Sequence, residues 1–492
     1  MNILFVTSEV VPFAKTGGLG DVCAALPQTF AKAGHTVKVF LPKFQSTNKF
    51  SKKMLKLDVR FDIQINGSTY ELTAYSLIDK KQSIEYIFIA NDTLFDRPEL
   101  YMDRATGEDY TDNDDRFIFF NQAVLLTAKA IMFQPDIAHV HDWQSALIPA
   151  YLKLTYQNDS FFQNCKSVLT IHNLAFHGMF PNKSFTKLNL SKDLFYPISP
   201  FEFYGNVNFL KAAIAYSDKI TTVSNTYAQE IQTEEFGCGL QGVLQNRSSD
   251  LLGILNGVDY TIWSPTRDLH ISHRYRIQNL SGKKMNKVEL LNYAQLPVRD
   301  NTSLIGIISR LSDQKGFDLF ENIADKLFQM DIQLILLGTG EERYHHLFES
   351  LEQKYPDKCK AYLTFDNTLA HKIEAGSDMF LMPSKYEPCG LNQLYSLKYG
   401  TIPIVRKVGG LADTVEQYDA HSGTGTGFLF DSYSSIQLLN TIQDAVELFS
   451  QKRKWTKLMK NAMAKDFSWE KSAEKYLQLF ESLLSKNYEK TV

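Results

Sequence analysis

Cysteine is scarce: the 492 residues hold five, Cys23, Cys165, Cys238, Cys359 and Cys389, with no C-x-x-C pair among them. An odd, scattered set argues against a disulfide framework and a structural zinc site, and is expected of a chain that works in a reducing cytoplasm. No apolar run approaches the ~18 residues of a membrane span, and no charged-apolar-small leader precedes the first strand. Neither sign of charge is in excess, since 52 Lys and Arg meet 55 Asp and Glu for a net charge of −3. That balance supplies no general attraction to nucleic acid or an anionic bilayer, so neither is expected as a partner. Also lacking are the G-x-x-x-x-G-K-[ST] and G-x-G-x-x-G patterns. The second strand ends in Leu41-Pro42-Lys43 without an acidic residue to hold an adenosine ribose. P-loop and dinucleotide chemistries therefore lose their usual anchors.

Short apolar runs instead alternate with amphipathic helical stretches, the pattern of an α/β protein with parallel sheets. Strands are expected near 3–7, 37–41, 137–140, 167–171, 219–223 and 252–255. A second series is expected at 303–309, 332–338, 359–365, 378–384 and 401–406. One stretch breaks the alternation. Residues 58–77 have period two around Asn66-Gly67, a strong hairpin signal, and 84–90 could add a third strand to this antiparallel flap. The turn-rich 257–270 separates the two series. From Ser468 the chain reads as one helix, apolar at Ala473, Tyr476, Leu477, Phe480, Leu483 and Leu484. The expected domains are 1–256, joined by 467–492, and 257–466. In such folds ligands sit outside the carboxyl ends of strands, so the informative residues should follow strands.

Four stretches do. KTGGLG (15–20) is a cationic, glycine-rich turn into a helix, where small residues and unpaired amides can approach an anion; the plainer reading is a tight turn. SRLSDQKGFDL (309–319) brings Arg310 and Lys315 off a strand end, able to converge on a pyrophosphate or to stand as a solvated loop. In PSKYEPCGLNQLY (383–395), Glu387 precedes a helix expected to start near Cys389 or Gly390. It could accept sugar hydroxyls or cap the helix. LTIHNLAFHG (169–178) places His172 and Asn173 at a strand end. HVHDWQ (139–144) adds His139, His141 and Asp142, but a third partner with metal-ligand spacing is not evident, so no metal is expected.

Together with LNGVD (255–259) and VGGLADTV (408–415), these motifs occur in one order over nearly the whole chain, and in this the sequence resembles the bacterial glycogen synthases, a family shared with plant starch synthases. The resemblance implies a retaining GT-B glycosyltransferase: two Rossmann-like domains facing across a deep interdomain cleft, transferring glucose from ADP-glucose to the non-reducing end of an α-1,4-glucan, with no metal or other cofactor. It implies that Lys15 and the amides of Gly17 and Gly18 contact the donor phosphates or the sugar, and that Arg310 and Lys315 neutralise the departing pyrophosphate. His172 would bond the transferred glucose. Glu387, with the backbone of Cys389, Gly390 and Leu391, would hold glucose hydroxyls. Phe365 would lie on the adenine, and Asp21, Asp142 and Asn256 would line the cleft beside Asn173.

Related retaining families carry a second glutamate eight positions after the first; here that position is Tyr395, which favours the narrower family. Asn392 stands where threonine, and Phe365 where tyrosine, is more usual. The residues leave open a UDP-sugar donor with another acceptor, and a non-catalytic glucan-binding or nucleotide-sugar-binding protein. The latter would be expected to have lost Lys15, His172, Arg310, Lys315 or Glu387. No enzymic nucleophile is evident, so same-face attack guided by the leaving phosphate is expected rather than double displacement.

Overall fold

The computed structural model describes residues 1–485, which fall into two compact α/β units. The first comprises Met1–Val223, Ala228–Gly257 and the chain from Trp469 onward; the second comprises Ser224–Tyr227 and Val258–Ser468. Among the described residues no helix is long and apolar enough to cross a membrane.

The first unit is built on a nine-stranded sheet in the order Leu251–Gly253, Lys219–Thr222, Lys166–Ile171, Ile137–His141, Asn2–Val6, Thr36–Pro42, Ile84–Ala90, Ser68–Asp79, Leu55–Ile65. The strands from Leu251–Gly253 to Ile84–Ala90 run parallel, and the last two add antiparallel. Its central parallel strands are buried on both faces, which is why residues 3–6 read as an unbroken apolar run, while Ile137–His141 and Lys166–Ile171 also bury His139, His141, Ser167 and Thr170. The hairpin turn is Asn66-Gly67, with φ of 49° and 82°, the two positive values a primed turn requires. Ile84–Ala90 joins the flap to the parallel sheet: it pairs parallel with Thr36–Pro42 and antiparallel with Ser68–Asp79.

Helix Trp469–Ser485 belongs to this first unit. Its buried face sets Tyr476 and Phe480 against Phe30, at ring separations of 6.1 and 5.6 Å, and against His139. Truncating a ring packed in this way costs about 3–5 kcal/mol, enough to secure a chain end that returns from the other unit. The last seven residues of the expected terminal helix lie outside the described residues.

The second unit has a six-stranded parallel sheet in the order Cys359–Tyr362, Ile332–Leu337, Ser303–Ile308, Met379–Met382, Ile402–Arg406, Phe428–Phe430. The last of these strands was not expected, being three residues long. Trp263 is stacked between His371 (3.7 Å, 7°) and Tyr395 (4.0 Å, 2°). Lys283 is buried with its ammonium on Thr401 Oγ1 and Ala375 O at 2.6 and 3.1 Å.

In each sheet the strand order reverses direction next to the unit's first strand. Asn2–Val6 lies between Thr36–Pro42 and Ile137–His141; Ser303–Ile308 lies between Ile332–Leu337 and Met379–Met382. Connections leaving such neighbours go to opposite faces, which opens a crevice at the carboxyl ends of the two strands.

Candidate functional site

The first crevice collects residues that follow Val6, His141 and Ile171. The glycine turn ends where helix Gly18–Lys32 begins, with Gly17 as its N-cap and no side-chain cap. Its amides are not all available to a ligand. The carboxylate of Glu9, 3% exposed, accepts the Thr16 and Gly17 amides at 2.6 and 3.3 Å, the Thr16 hydroxyl at 2.6 Å and the Tyr101 hydroxyl at 2.9 Å. An internal anion therefore occupies the site expected to receive an external one. Among the described residues the amides of Gly18 and Leu19 remain without an acceptor, having no intrahelical one in the first turn. Lys15 is exposed and ion-paired with Asp21 at 2.7 Å.

Asp142 follows strand Ile137–His141 at φ 53°, ψ −171°, a conformation almost confined to glycine. The strain brings its carboxylate onto the backbone amide of His172 at 2.7 Å. Burial raises the Asp142 carboxyl to about 7, helped by the negative charge of Glu9 and opposed by the bonds from the His172 and Asn173 amides. His172 follows strand Lys166–Ile171, and its Nε2 lies 2.9 Å from His141 Nδ1. Burial lowers His172 to about 3 and His141 well below its ordinary value, so both rings are neutral at pH 7. With Nε2 engaged by His141, Nδ1 is the atom of His172 left for a ligand hydroxyl.

The second crevice collects residues that follow Ile308 and Met382. Lys315 Nζ lies 2.6 Å from Glu387 Oε2, and the Ser384 hydroxyl donates to the same oxygen at 3.0 Å. Gly316, at φ 79°, allows this approach: a Cβ there would stand 2.0 Å from the Pro383 carbonyl oxygen. On the other side of Glu387, Gly410 donates to the Glu387 and Pro388 carbonyls at 3.1 Å, and its own Cβ would meet Cys389 O at 2.1 Å. Two glycines thus let two loops press on the segment that carries the glutamate. Arg310 is exposed and makes no side-chain bond to the described residues.

The helix after Glu387 starts at Asn392, later than its expected start near Cys389 or Gly390, with Leu391 as N-cap. Glu387 is therefore not the helix cap; its partners are Lys315 and Ser384. Cys389 is buried, and Gly390, at φ 72°, turns the chain into the helix. Asn256 lies buried after strand Leu251–Gly253, and Phe365, 78% exposed, lies beyond strand Cys359–Tyr362.

Lys15, Gly17, Gly18, Asp21, Asp142, His172, Asn173 and Asn256 thus belong to the first unit, and Arg310, Lys315, Phe365, Glu387, Cys389, Gly390 and Leu391 to the second. Sequence reasoning missed Glu9 and Tyr101, which are 92 residues apart and meet only through folding. It weighed His141 only as a metal ligand and found no third partner for the histidines by spacing. The fold supplies one from another element: one donor atom each of Cys23, His141 and His172 lie within 4.8 Å of one another.

A family model described as the starch synthase catalytic domain matches residues 2–246, and one described as glycosyl transferases group 1 matches residues 291–462. The chain is 46% identical to the glycogen synthase of Koribacter versatilis over 98% of both chains, and 44% identical to that of Thermotoga maritima over 99% of both. Among solved structures it is similar to the catalytic domain of starch synthase IV from Arabidopsis thaliana bound to ADP and acarbose. There the TM-score is 0.88 at 30% identity, over 98% of this chain and 99% of that one. Sucrose-phosphate synthase from Thermosynechococcus elongatus shares the fold, with a TM-score of 0.61 at 17% identity over 98% of this chain and 99% of that one.

Proposed function

The chain belongs to the glycogen synthase family, and on that footing we propose that its donor is ADP-glucose and that the two strand-end clusters act on that one donor, the second unit holding the nucleotide sugar and the first serving the acceptor side. The protein is a GT-B glycosyltransferase that elongates an α-glucan with glucose from a nucleotide sugar. Breaking the anomeric bond leaves negative charge on the diphosphate and positive character on the sugar carbon. Arg310 and Lys315 take the first: Arg310 as a planar fork, Lys315 as a point charge already fixed by Glu387. Such preorganised stabilisation is commonly the largest catalytic contribution.

Glu387, the backbone of Cys389, Gly390 and Leu391, and Phe365 hold the sugar and the base. Lys15 and the Gly18 amide reach the phosphates or the sugar. Gly17 contributes by its lack of a side chain, because its amide is bonded to Glu9. His172 offers Nδ1 to a glucosyl hydroxyl, oriented by Asp142 at its backbone and His141 at Nε2. Asp21, Asn173 and Asn256 line the same region. No carboxylate or other enzymic nucleophile is assigned to the reacting carbon, and His172 is given a hydrogen-bonding task, so the reading is same-face attack with retention. The bound ADP and acarbose of the Arabidopsis relative support a nucleotide and a glucan as this chain's own ligands.

The observation that carries the reading is the Lys315–Glu387 pair at the second switch point. The test is glucose transfer to glycogen, with ADP-glucose and UDP-glucose in parallel, by the wild type and by Glu387→Ala and Lys315→Ala. Transfer from ADP-glucose, nearly abolished in both variants, is expected. Preference for UDP-glucose, or variants as active as the wild type, would overturn it.

A further inference from the structure

Cys23, His141 and His172 come from three elements: helix Gly18–Lys32, the end of strand Ile137–His141, and the residue after strand Lys166–Ile171. Each brings one donor atom within 4.8 Å of the other two. We propose that these side chains form a site for a soft divalent cation, zinc the representative, and that its occupation shuts off glucosyl transfer. The inhibitory half rests on the placement of His172 at the reacting sugar; the site itself does not.

The donor set suits the ion. Thiolate sulfur and imidazole nitrogen are ordinary zinc ligands, and three protein donors leave the fourth place to water or another oxygen. Zinc–nitrogen and zinc–sulfur bonds in a tetrahedron set their donors about 3.3–3.6 Å apart. The two ring nitrogens already stand at 2.9 Å and need separate by only a few tenths of an ångström, while the sulfur, within 4.8 Å of a donor atom of each ring, closes by up to about 1.2 Å. Both rings are neutral, the form that binds metal. Among the described residues the buried His141 Nε2 has no hydrogen-bond partner, so that ring can carry its proton there and turn Nδ1 to the ion. The thiol is fully buried and lies in the negative field of Asp142 and Glu9. That field opposes a bare thiolate and favours a dication beside one.

The protons balance. Before binding, one is shared between His141 Nδ1 and His172 Nε2, one sits on the other nitrogen of the accepting ring, and one is on Cys23. On binding, the shared proton passes to the far nitrogen of the ring that donated it, the thiol proton leaves to solvent, and the zinc–sulfur bond replaces S–H. No oxidant or reductant enters. The result is a dication within bond length of His172, next to a sugar carbon that must become positive in the transition state. Its charge opposes that change, and the ring loses the bond to His141 that orients it.

Cobalt(II) serves as the spectroscopic probe and zinc as the inhibitor, on the full-length protein freed of metal with a chelator. One equivalent of cobalt should produce a near-ultraviolet sulfur-to-metal absorption and tetrahedral visible bands. Zinc should abolish transfer, reversibly with chelator, while magnesium at equal concentration does nothing. Cys23→Ser should keep its basal activity, lose the absorption band and need at least about tenfold more zinc for half-inhibition. Cys23→Ala, judged by the same band and by zinc-dependent thermal shift, covers misfolding of the serine variant. Absence of the band in the wild type, or equal zinc sensitivity in the variants, overturns the site. A full band with an unchanged rate overturns the inhibition, and with it the reading of His172, while the transferase assay on Lys315→Ala and Glu387→Ala tests the function separately.

Discussion

The ammonium of Lys315 lies 2.6 Å from a carboxylate oxygen of Glu387, with the lysine 21% and the glutamate 8% exposed. Two groups assigned separate tasks, one on the leaving diphosphate and one on the sugar, are thus a single unit before any donor arrives. An unpaired charge at this depth is costly, so each partner fixes the other.

Removing the lysine should therefore act twice. Lys315→Ala is expected to lower kcat by about 10²–10³, or 2–4 kcal/mol of transition-state stabilisation. It should also destabilise the second unit by leaving Glu387 unpaired. Lys315→Ala combined with Glu387→Gln should recover stability but not activity. Chemical denaturation of the three variants measures the first, and initial rates the second. A double variant less stable than Lys315→Ala would show the pair to be unimportant to folding.

Gly316→Ala tests the close approach of the two loops. The added methyl would face the Pro383 carbonyl at 2.0 Å in a backbone of φ 79°. The left-handed strain alone is about 1–2 kcal/mol, and the clash must displace the Lys315 loop as well. A lowered Tm together with a large fall in kcat is the expected result. Wild-type kinetics in this variant would mean that the loop position does not matter to transfer.

Stability of the second unit should depend on pH through Glu374 and Lys283. Burial raises the Glu374 carboxyl to about 8 and lowers the Lys283 ammonium to about 7. The protonated Glu374 is the form the fold prefers. Its contribution is whole below the unfolded value of ~4.3 and is lost as pH rises through about 8. Lys283 runs the other way: its contribution is whole above ~10.4 and is lost as pH falls through about 7. Glu374→Gln mimics the neutral acid and can keep the bond from the Ser396 hydroxyl. It should match the wild type in Tm below about pH 4 and exceed it by a margin that grows up to about pH 8. A margin constant with pH would mean that the buried carboxyl never takes up its proton in this range.

Asp142→Asn removes a charge but keeps an oxygen to accept the His172 amide, and asparagine tolerates positive φ better than most residues. The variant should fold with little loss. If the carboxyl near pH 7 shapes the rate, the wild-type profile between pH 6 and 8 should flatten in the variant. An unaltered inflection would assign that titration to another group.

The alternation of apolar runs and amphipathic helices determined two parallel-sheet units, the longer strands of both and the Asn66-Gly67 hairpin, because backbone pairing and burial impose short periods that a linear reading detects; the three-residue Phe428–Phe430 is too short to show one. The same reading found residues that leave strand ends, since switch-point crevices always lie there. It placed the Glu387 helix start too early because the Pro388-Cys389-Gly390 turn continues through Leu391, which local propensity does not foresee. Only the tertiary structure decided what fills the glycine turn: Glu9 is seven residues from Thr16 and Tyr101 is 92 from Glu9, and no period links them. The same holds for Cys23 beside His141 and His172, and for Lys315 on Glu387 across 72 residues. Sequence records which side chains point off an element, by local geometry. Which of them share a charge or a proton is set by how elements far apart in the chain pack, and that depends on the whole core at once.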